Sequence, residues 1–245
     1  MRCVVSLRFG RLGPKCCVMP TQPLIDSDPA LETHAAQLRQ LSHPLAEHHL
    51  ARLREASTDA AAFRASLRQL AALLGHEATR DLELASTQVR TPLATSEAQT
   101  LSQRVGIVPI LRAGLGMVDA MLELMPTAQV WHLGLFRDER TLRPVEYYNK
   151  LPDQATVDVC LILDPMLATG GSATAAIQVL KDWGARHIKL INLIAAPEGV
   201  RAVASAHPDV AIHTAALDRQ LNERGYILPG LGDAGDRQFG TGHSG

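Results

Sequence analysis

Residues 161–174 read Leu-Ile-Leu-Asp-Pro-Met-Leu-Ala-Thr-Gly-Gly-Ser-Ala-Thr. The apolar residues before Asp164 are typical of a buried strand, and the small and hydroxyl residues that follow are typical of a loop entering a helix. At a helix N-terminus, unpaired N–H groups and the helix dipole attract anions, and Gly170 and Gly171 permit close approach to the backbone. The stretch therefore predicts a strand–loop–helix unit that suits a phosphate group.

An ordinary capped helix start is the alternative explanation for the small and hydroxyl residues at 169–172, and that segment alone favours it. Asp164 favours the binding site instead, because a carboxylate at a strand end could accept hydrogen bonds from ribose hydroxyls while the loop holds the 5-phosphate. The hydroxyl groups of Thr169, Ser172 and Thr174 add donors for that phosphate. The resulting prediction is a loop that binds a phosphorylated ribose.

Beyond Arg104 the chain alternates between apolar, β-branched runs and short amphipathic stretches. This alternation is typical of crossover units, and it predicts an α/β, doubly wound, mainly parallel sheet. Right-handed crossovers place the loops after the strands at one edge of the sheet, where ligands bind. The strands are predicted at residues 105–111, 130–136, 157–163, 188–194 and 210–215, and the helices at residues 114–125, 174–183 and 198–206.

Three other regions differ from this pattern. Residues 31–74 have helical periodicity, and Gly75 is the predicted helix end. Residues 138–148 have a polar tip and end in Val-Glu-Tyr-Tyr, which indicates a mobile β-hairpin that could close over the site. Simple packing within a strand explains the two tyrosines equally well. Residues 225–240 are rich in Gly and Pro, so we expect a long functional loop or a tail there, with neither helix nor regular strand.

Composition bounds the domain organisation and the partners. The chain has 245 residues, of which 46% are hydrophobic, and its formal net charge is −1. This suits one α/β domain over residues 31–245, after an N-terminal extension, residues 1–30, that we expect to be poorly ordered. The balanced charge and the lack of any apolar run of about 18 residues exclude nucleic acid and membrane as partners. Basic residues interrupt the short N-terminal apolar run, which predicts a cytoplasmic protein with unpaired cysteines.

Four segments resemble uracil phosphoribosyltransferases, in the order of that family. Residues 108–117 resemble its pyrophosphate loop, and residues 136–142 resemble the start of its flexible hairpin. Residues 164–172 resemble its phosphoribosyl pyrophosphate loop, and residues 221–236 its uracil-binding hood. The resemblance runs from about residue 42 to residue 240. It implies a type I phosphoribosyltransferase fold with a β-hairpin arm and a C-terminal base-binding hood.

The activity implied by this resemblance is that of a glycosyltransferase in pyrimidine salvage. Such an enzyme converts uracil and 5-phospho-α-D-ribose 1-diphosphate (PRPP) into UMP and diphosphate. Catalytic roles are implied for Arg112, Arg137 and Asp233. Uracil is implied to contact, largely through backbone groups, Ile227, Gly232, Asp233 and Ala234. The implied PRPP ligands are Arg112, Arg137, Asp164, Pro165, Met166, Leu167, Ala168, Thr169, Gly170, Gly171, Ser172 and Asp233.

The resemblance also implies a cofactor and partners. The family uses Mg²⁺ that is bound mainly through the diphosphate of the substrate. Broader phosphoribosyltransferases carry two adjacent acidic residues in the ribose loop, whereas here Pro165 follows Asp164, so no metal site made by protein groups alone is expected. Some members are activated by GTP, and members form dimers or larger homo-oligomers. The first thirty or so residues have no counterpart in the family pattern.

Two other functions are compatible with parts of this pattern. A regulatory protein of the same fold that binds nucleotides and RNA would need a basic face, which the balanced charge argues against. A phosphoribosyltransferase for another base, such as a purine, would share the ribose loop and differ in the hood. Taken without the other motifs, Arg137 in its Asp-Glu-Arg context is better explained as a solvent-exposed charge.

Overall fold

The computed structural model describes residues 37–137 and 144–241, with the side chains of residues 135–137 and 144–147 outside the description. The predicted N-terminal extension, residues 1–30, therefore lies outside the described residues. The same holds for residues 138–143, which include the tip of the predicted hairpin. Among the described helices, none combines the length and apolar character that crossing a membrane requires.

A sheet of nine strands forms the centre of the described chain. In chain order the strands of this sheet and of two separate two-stranded sheets are β1 Leu38–Gln40, β2 Leu84–Arg90, β3 Thr95–Leu101, β4 Val105–Leu111, β5 Gln129–Val130, β6 Leu133–Arg137, β7 Pro144–Asn149, β8 Val159–Leu163, β9 Met166–Leu167, β10 His187–Ala195, β11 Ala211–Leu217, β12 Gln220–Leu221 and β13 Ile227–Leu228. The main path is β1-β11-β10-β8-β4-β6-β7, with β5 beside β4 and β9 beside β10. Only β6 and β7 pair antiparallel within it.

Helices cover both faces of this sheet. They are α1 Pro44–Arg54, α2 Ala60–Ala78, α3 Leu115–Leu124, α4 Gly171–Trp183, α5 Pro197–Ala206 and α6 Ala234–Phe239. Helices α1, α2 and α3 share one core with Leu161 and Leu163, whereas α4 and α5 share a second core with Cys160 and Ile162. Successive residues of β8 thus point to opposite, apolar faces, as in a fully buried parallel strand. The predicted doubly wound α/β fold is confirmed.

The elements predicted beyond Arg104 are present, with ends that differ by at most three residues. The strand predicted at residues 130–136 is divided into β5 and β6. In β6 and β7, Arg137 pairs with Pro144, so the two strands form the antiparallel hairpin that the sequence predicted.

The helical prediction for residues 31–74 is wrong at both described ends. Leu38–Gln40 form the edge strand β1, which pairs with β11, and α2 continues past Gly75 to Ala78. A Cβ atom at Gly75 would lie 2.7 Å from the sulfur of Met121 in α3. This glycine therefore permits close packing of two helices and does not end one.

The prediction that residues 225–240 hold neither helix nor regular strand is also wrong. They contain β13 and the six-residue helix α6. Asp233 caps α6, because its Oδ1 accepts a hydrogen bond from the Asp236 N–H at 2.9 Å, and Gly240 ends it with φ of 67°. The glycines and aspartates that suggested a loop are thus partly the two caps of a short helix.

A second hairpin, β2–β3, was not predicted. Its two strands pair only with each other and form a separate antiparallel sheet. Most of its residues are exposed on both faces, and Leu93 at its tip is 98% exposed. Two-stranded sheets with no further packing are marginally stable in water. This segment therefore needs additional contacts to be well ordered.

A buried histidine makes the stability of the fold pH-dependent. His213 in β11 is buried, and neither ring nitrogen has a hydrogen-bond partner among the described residues. Burial, together with the charges of Lys189 and Arg39, lowers the pKa of His213 to about 4. In the unfolded chain the histidine pKa is near 6.5, so between pH 6.5 and 4 the unfolded state binds a proton at His213 that the folded state does not bind.

We expect the free energy of unfolding to fall by about 3 kcal/mol through His213 as pH falls from 6.5 to 4, and not to change through this residue above pH 6.5. His213→Leu should abolish this loss, so its advantage over the unsubstituted protein should grow toward acid. Urea unfolding at a series of pH values measures the difference. Parallel stability curves for the two proteins would contradict the prediction.

Candidate functional site

Three chain segments meet at the carboxyl edge of the sheet. They are the turn after β4, the loop between β8 and α4, and the residues that begin α6. They enclose a pocket of about 220 Å³ whose lining consists of Ile110, Leu111, Arg112, Ala113, Asp164, Ser172, Asp233 and Gly235. Residues from three of the predicted motifs therefore line one pocket, as expected where parallel strands end side by side.

The loop before α4 has the geometry of an anion site. Gly170 occupies the N-cap position with φ of 80°, and no side chain caps the helix. A Cβ atom at Gly170 would lie 2.9 Å from the Gly199 carbonyl oxygen, so the loop also needs glycine for its packing against α5. The alternative of an ordinary side-chain cap is therefore wrong. The first-turn N–H groups, which a side-chain cap would otherwise satisfy, can face a phosphate.

Asp164 directly follows β8 and lines the pocket. Its Oδ1 accepts a hydrogen bond from the Met166 N–H at 3.3 Å, and its backbone N–H donates to the Ile191 carbonyl oxygen at 3.2 Å. Burial raises the pKa of the Asp164 carboxyl to about 7, and the hydrogen bond from Met166 opposes this rise only in part. Near neutral pH, the carboxyl therefore changes its charge readily when a ligand binds.

Three features hold the rest of this loop against the sheet. β9, which is Met166–Leu167, pairs with the end of β10, and the Asn192 side-chain amide in β10 donates to the Asp164 carbonyl oxygen at 2.5 Å. Pro165 and Leu167 are buried. A Cβ atom at Gly199 would lie 2.4 Å from the Ala168 carbonyl oxygen. Residues 165–168 thus set the path of the loop, and their predicted contact with PRPP stays a prediction.

The structure describes the two arginines that are predicted to bind PRPP to different extents. Arg112 follows β4 after a cis peptide bond, its side chain is 61% exposed, and Nη2 lies 3.5 Å from Asp236 Oδ1. This exposed contact is long, so the guanidinium can move to a ligand at small cost. Arg137 ends β6. Its side chain lies outside the description, and its role stays a prediction.

The predicted hood, residues 221–236, is part of a longer segment, residues 218–239, to which we extend the name hood from here on. Asp218 begins it with two hydrogen bonds from Arg54, at 2.6 and 2.9 Å, and a third from the Gly230 N–H at 2.9 Å. Near its end, Arg237 donates to the carbonyl oxygens of Leu231 and Glu55 at 2.8 and 2.6 Å. The hood is thus fixed to the helical layer by two arginines that no sequence motif indicated.

The predicted uracil contacts lie at different depths of the hood. Asp233 lines the pocket, and one of its oxygens also caps α6. Ile227 and Ala234 are buried, whereas Gly232 is exposed with φ of 79°. Ile227, Gly232 and Ala234 are not among the residues that line the pocket, so only Asp233 of the four predicted uracil contacts is placed there. Recognition of uracil through backbone groups stays a prediction.

A larger pocket, of about 760 Å³, lies at the opposite edge of the sheet. Its wall includes Arg104 at the start of β4, paired with Asp158 at 3.0 Å, and Trp183 at the end of α4. No residue of the predicted motifs lines it. We therefore place the candidate site in the smaller pocket, where Arg112, Asp164 and Asp233 converge.

The chain is similar to known proteins over most of its length. Residues 40–241 match the family model described as uracil phosphoribosyltransferase. A protein named uracil phosphoribosyltransferase from Roseiflexus castenholzii is 62% identical over 200 residues, which cover 82% of this chain and 96% of that protein. One of the same name from Alkaliphilus oremlandii is 55% identical over 202 residues, which cover 82% of this chain and 97% of that protein.

A solved structure of a protein from Aquifex aeolicus superposes with a TM-score of 0.80 at 37% identity, covering 84% of this chain and 99% of that one. The matched region, residues 40–241, contains all three segments that line the pocket. This match shows the family, and the motif residues that carry the resemblance share one pocket. The chain belongs to the uracil phosphoribosyltransferase family.

Proposed function

We infer that the protein is a glycosyltransferase that joins uracil to the ribose 5-phosphate of PRPP, forming UMP and releasing diphosphate. The observation that carries this inference is the single pocket lined by Arg112, Asp164, Ser172 and Asp233. These residues come from the motifs that the family uses for diphosphate, for ribose phosphate and for the base. The names of the relatives favour uracil over a purine or a regulatory role.

Each part of the candidate site suits one part of the two substrates, PRPP and uracil. The first turn of α4, with Thr169, Gly170, Gly171 and Ser172, would bind the 5-phosphate through backbone and hydroxyl donors. Asp164 would accept hydrogen bonds from the ribose hydroxyls. The hood would hold uracil over the ribose through backbone groups of Ile227 and of residues 232–234.

Departure of diphosphate leaves cationic character on the ribose and negative charge on the leaving group. The forked donors of Arg112 and Arg137 would stabilise the negative charge, since a planar guanidinium contacts two phosphate oxygens at once. We propose that the β6–β7 hairpin closes over the diphosphate and excludes water, which would otherwise hydrolyse the cationic ribose.

Mg²⁺ fits this pocket as an ion carried by the substrate. Within the described ranges, no three His, Cys, Asp or Glu side chains are grouped as a metal site. Asp164 and Asp233 offer carboxylate oxygens, and Mg²⁺ is usually bound through one or two carboxylates together with substrate phosphates. When bound, the ion neutralises charge on the diphosphate.

We also propose a homo-oligomer, a dimer or larger. The β2–β3 hairpin supports it, because its apolar residues Leu84, Leu93 and Leu101 are at least half exposed in the described chain. Activation by GTP and a cytoplasmic location are proposals that rest on the family resemblance and on the sequence. Light scattering tests the proposed oligomer, and rate measurements with and without GTP test the activation.

The activity itself is tested by incubating the protein with Mg²⁺, PRPP and one nucleobase at a time. Chromatographic detection of the nucleoside monophosphate with uracil alone is the expected result. Formation of a purine monophosphate at a comparable rate, or of no product with any base, would contradict the proposed function.

PRPP binding should weaken in acid because of Asp164. Its carboxyl, with a pKa of about 7, is protonated as pH falls through neutrality and then accepts fewer hydrogen bonds from ribose. We expect KM for PRPP to rise roughly eightfold between pH 7.5 and 6. Asp164→Asn should raise KM at high pH and remove this dependence.

The ratio of the two proteins' KM values at each pH is the quantity to compare, because titration of PRPP itself then cancels. KM for uracil serves as the internal control and should change much less. An unchanged ratio across this pH range would argue against the ribose contact. Equal losses for both substrates would indicate a folding defect.

Removing residues 1–30 should leave kcat and KM within about twofold, since the family match begins at residue 40. The matched control removes residues 1–42 and with them β1, the edge strand that pairs with β11. The longer deletion should lower the melting temperature. Loss of activity or folding in the shorter deletion would show that the extension is part of the domain.

A further inference from the structure

The last helix of the hood contacts the turn that carries Arg112 through one buried side chain. Gln238 in α6 is fully buried, and its Nε2 donates to the Ala113 carbonyl oxygen at 2.8 Å. Ala113 directly follows Arg112. We propose that Gln238 is a positioning residue, which fixes the diphosphate-binding turn, and with it Arg112, to the helix capped by Asp233.

A role in stability alone does not explain a glutamine at this place. Among the described residues, Gln238 Oε1 has no hydrogen-bond partner. Burying an unpaired amide oxygen destabilises a fold, whereas Met has a similar length and buries no polar atom. The side-chain hydrogen bond that Met would lose is the one to Ala113. Gln238 therefore destabilises the fold relative to an apolar side chain, and the one side-chain hydrogen bond that it makes is to the turn.

Gly116, in the first turn of α3, leaves the space that this amide occupies. A Cβ atom at Gly116 would lie 2.0 Å from Gln238 Oε1 and 3.1 Å from Leu67 Cδ2. Any larger residue would displace the amide from Ala113. The turn, α3 and α6 therefore fit together around one side chain.

The helix that carries Gln238 is itself firmly held. Arg64 in α2 donates to the Gln238 carbonyl oxygen at 2.7 Å, and the Arg237 guanidinium lies 4.6 Å from the centre of the Phe63 ring. The other link between α6 and the turn, Arg112 to Asp236, is exposed and 3.5 Å long. Gln238 is therefore the contact through which the rigid helical layer can hold the turn in place.

Gln238→Met tests the proposal. We expect kcat/KM for PRPP to fall roughly ten- to a hundredfold, the scale of a misplaced catalytic group. KM for uracil should change less than about threefold, and the melting temperature should be equal or higher. Gln178→Met is the matched control, since Gln178 is an exposed glutamine in the middle of α4, and it should have wild-type kinetics.

The decisive measurement is the same change in an Arg112→Ala background. If Gln238 acts through Arg112, Gln238→Met should there alter kcat/KM by less than about twofold. An additive loss in the double variant, or wild-type kinetics in the single variant, would overturn the proposal. The inference rests on the proposed role of Arg112. Full activity of Arg112→Ala would therefore overturn that role and the inference together, whereas an additive loss would overturn only the action of Gln238 through Arg112.

Gly116→Ala provides an independent route if Gln238→Met does not fold. It keeps the amide and displaces it from Ala113, so the same selective loss for PRPP is expected. A folded Gly116→Ala protein with unchanged kinetics for PRPP would overturn the proposal.

Discussion

Cytosine is expected to be used at least about a hundredfold less efficiently than uracil. Uracil presents an acceptor at O4, a donor at N3 and an acceptor at O2, so the hood must present donor, acceptor and donor. Cytosine reverses the first two. Each mismatched buried group should cost roughly 1 to 3 kcal/mol, and two of them give tens- to thousandsfold discrimination or more.

The structure supplies a reason why this selectivity should resist mutation. Ile227 is buried and its side chain does not line the pocket, while β13 is held by its pairing with β12. Backbone groups of Ile227 and of residues 232–234 cannot be removed by substitution. Ile227→Val should therefore leave the preference for uracil almost unchanged.

Initial rates at subsaturating base, with uracil, 5-substituted uracils, cytosine and a purine, measure the discrimination. Small 5-substituted uracils should be accepted, because their hydrogen-bonding edge is that of uracil. Comparable efficiency with cytosine or with any purine would defeat the assignment of the hood as the base site.

Arg112→Ala is expected to lower kcat roughly ten- to a thousandfold, which is the scale for removing one preorganised electrostatic donor. The side chain is 61% exposed and its contact with Asp236 is 3.5 Å long, so the free energy of unfolding should barely change. Arg112→Lys should recover only part of the rate, because an ammonium group keeps the charge and lacks the fork.

Arg104→Ala is the matched control for this substitution. Arg104 is 62% exposed, nearly the same as Arg112, and it lies at the opposite edge of the sheet beside Asp158. Its loss should leave kcat unchanged and cost at most about 1 kcal/mol of stability. An unaltered rate for Arg112→Ala at saturating substrates would rule out a role of Arg112 in stabilising the diphosphate.

The sheet and its functional edge were predictable from the sequence. The strands that become β4, β8 and β10 are short apolar runs separated by amphipathic stretches, a pattern that parallel crossover units produce whatever surrounds them. Because the ends of parallel strands lie side by side, Arg112 after β4 and Asp164 after β8 were expected near one another. The pocket confirms that expectation.

Two predictions were wrong because the same residue type serves more than one structural role. Gly75 resembles a helix end, and only the side chain of Met121 in another helix shows that it is a packing glycine. The glycines and aspartates around α6 resemble a loop until Asp233 is seen to cap the helix. Local patterns cannot distinguish these cases, because both uses favour the same residue types.

By itself, the sequence determined the α/β class, the order of the elements between residues 105 and 217 and the motifs that resemble the family, since these depend on periodicity and on local backbone chemistry. The tertiary structure alone decided how the hood is held by Arg54 and Arg237, how Gln238 reaches Ala113, and why the pKa of Asp164 rises to about 7. Desolvation and long-range hydrogen bonds arise only when segments more than a hundred residues apart along the chain are packed together, and no local pattern encodes them.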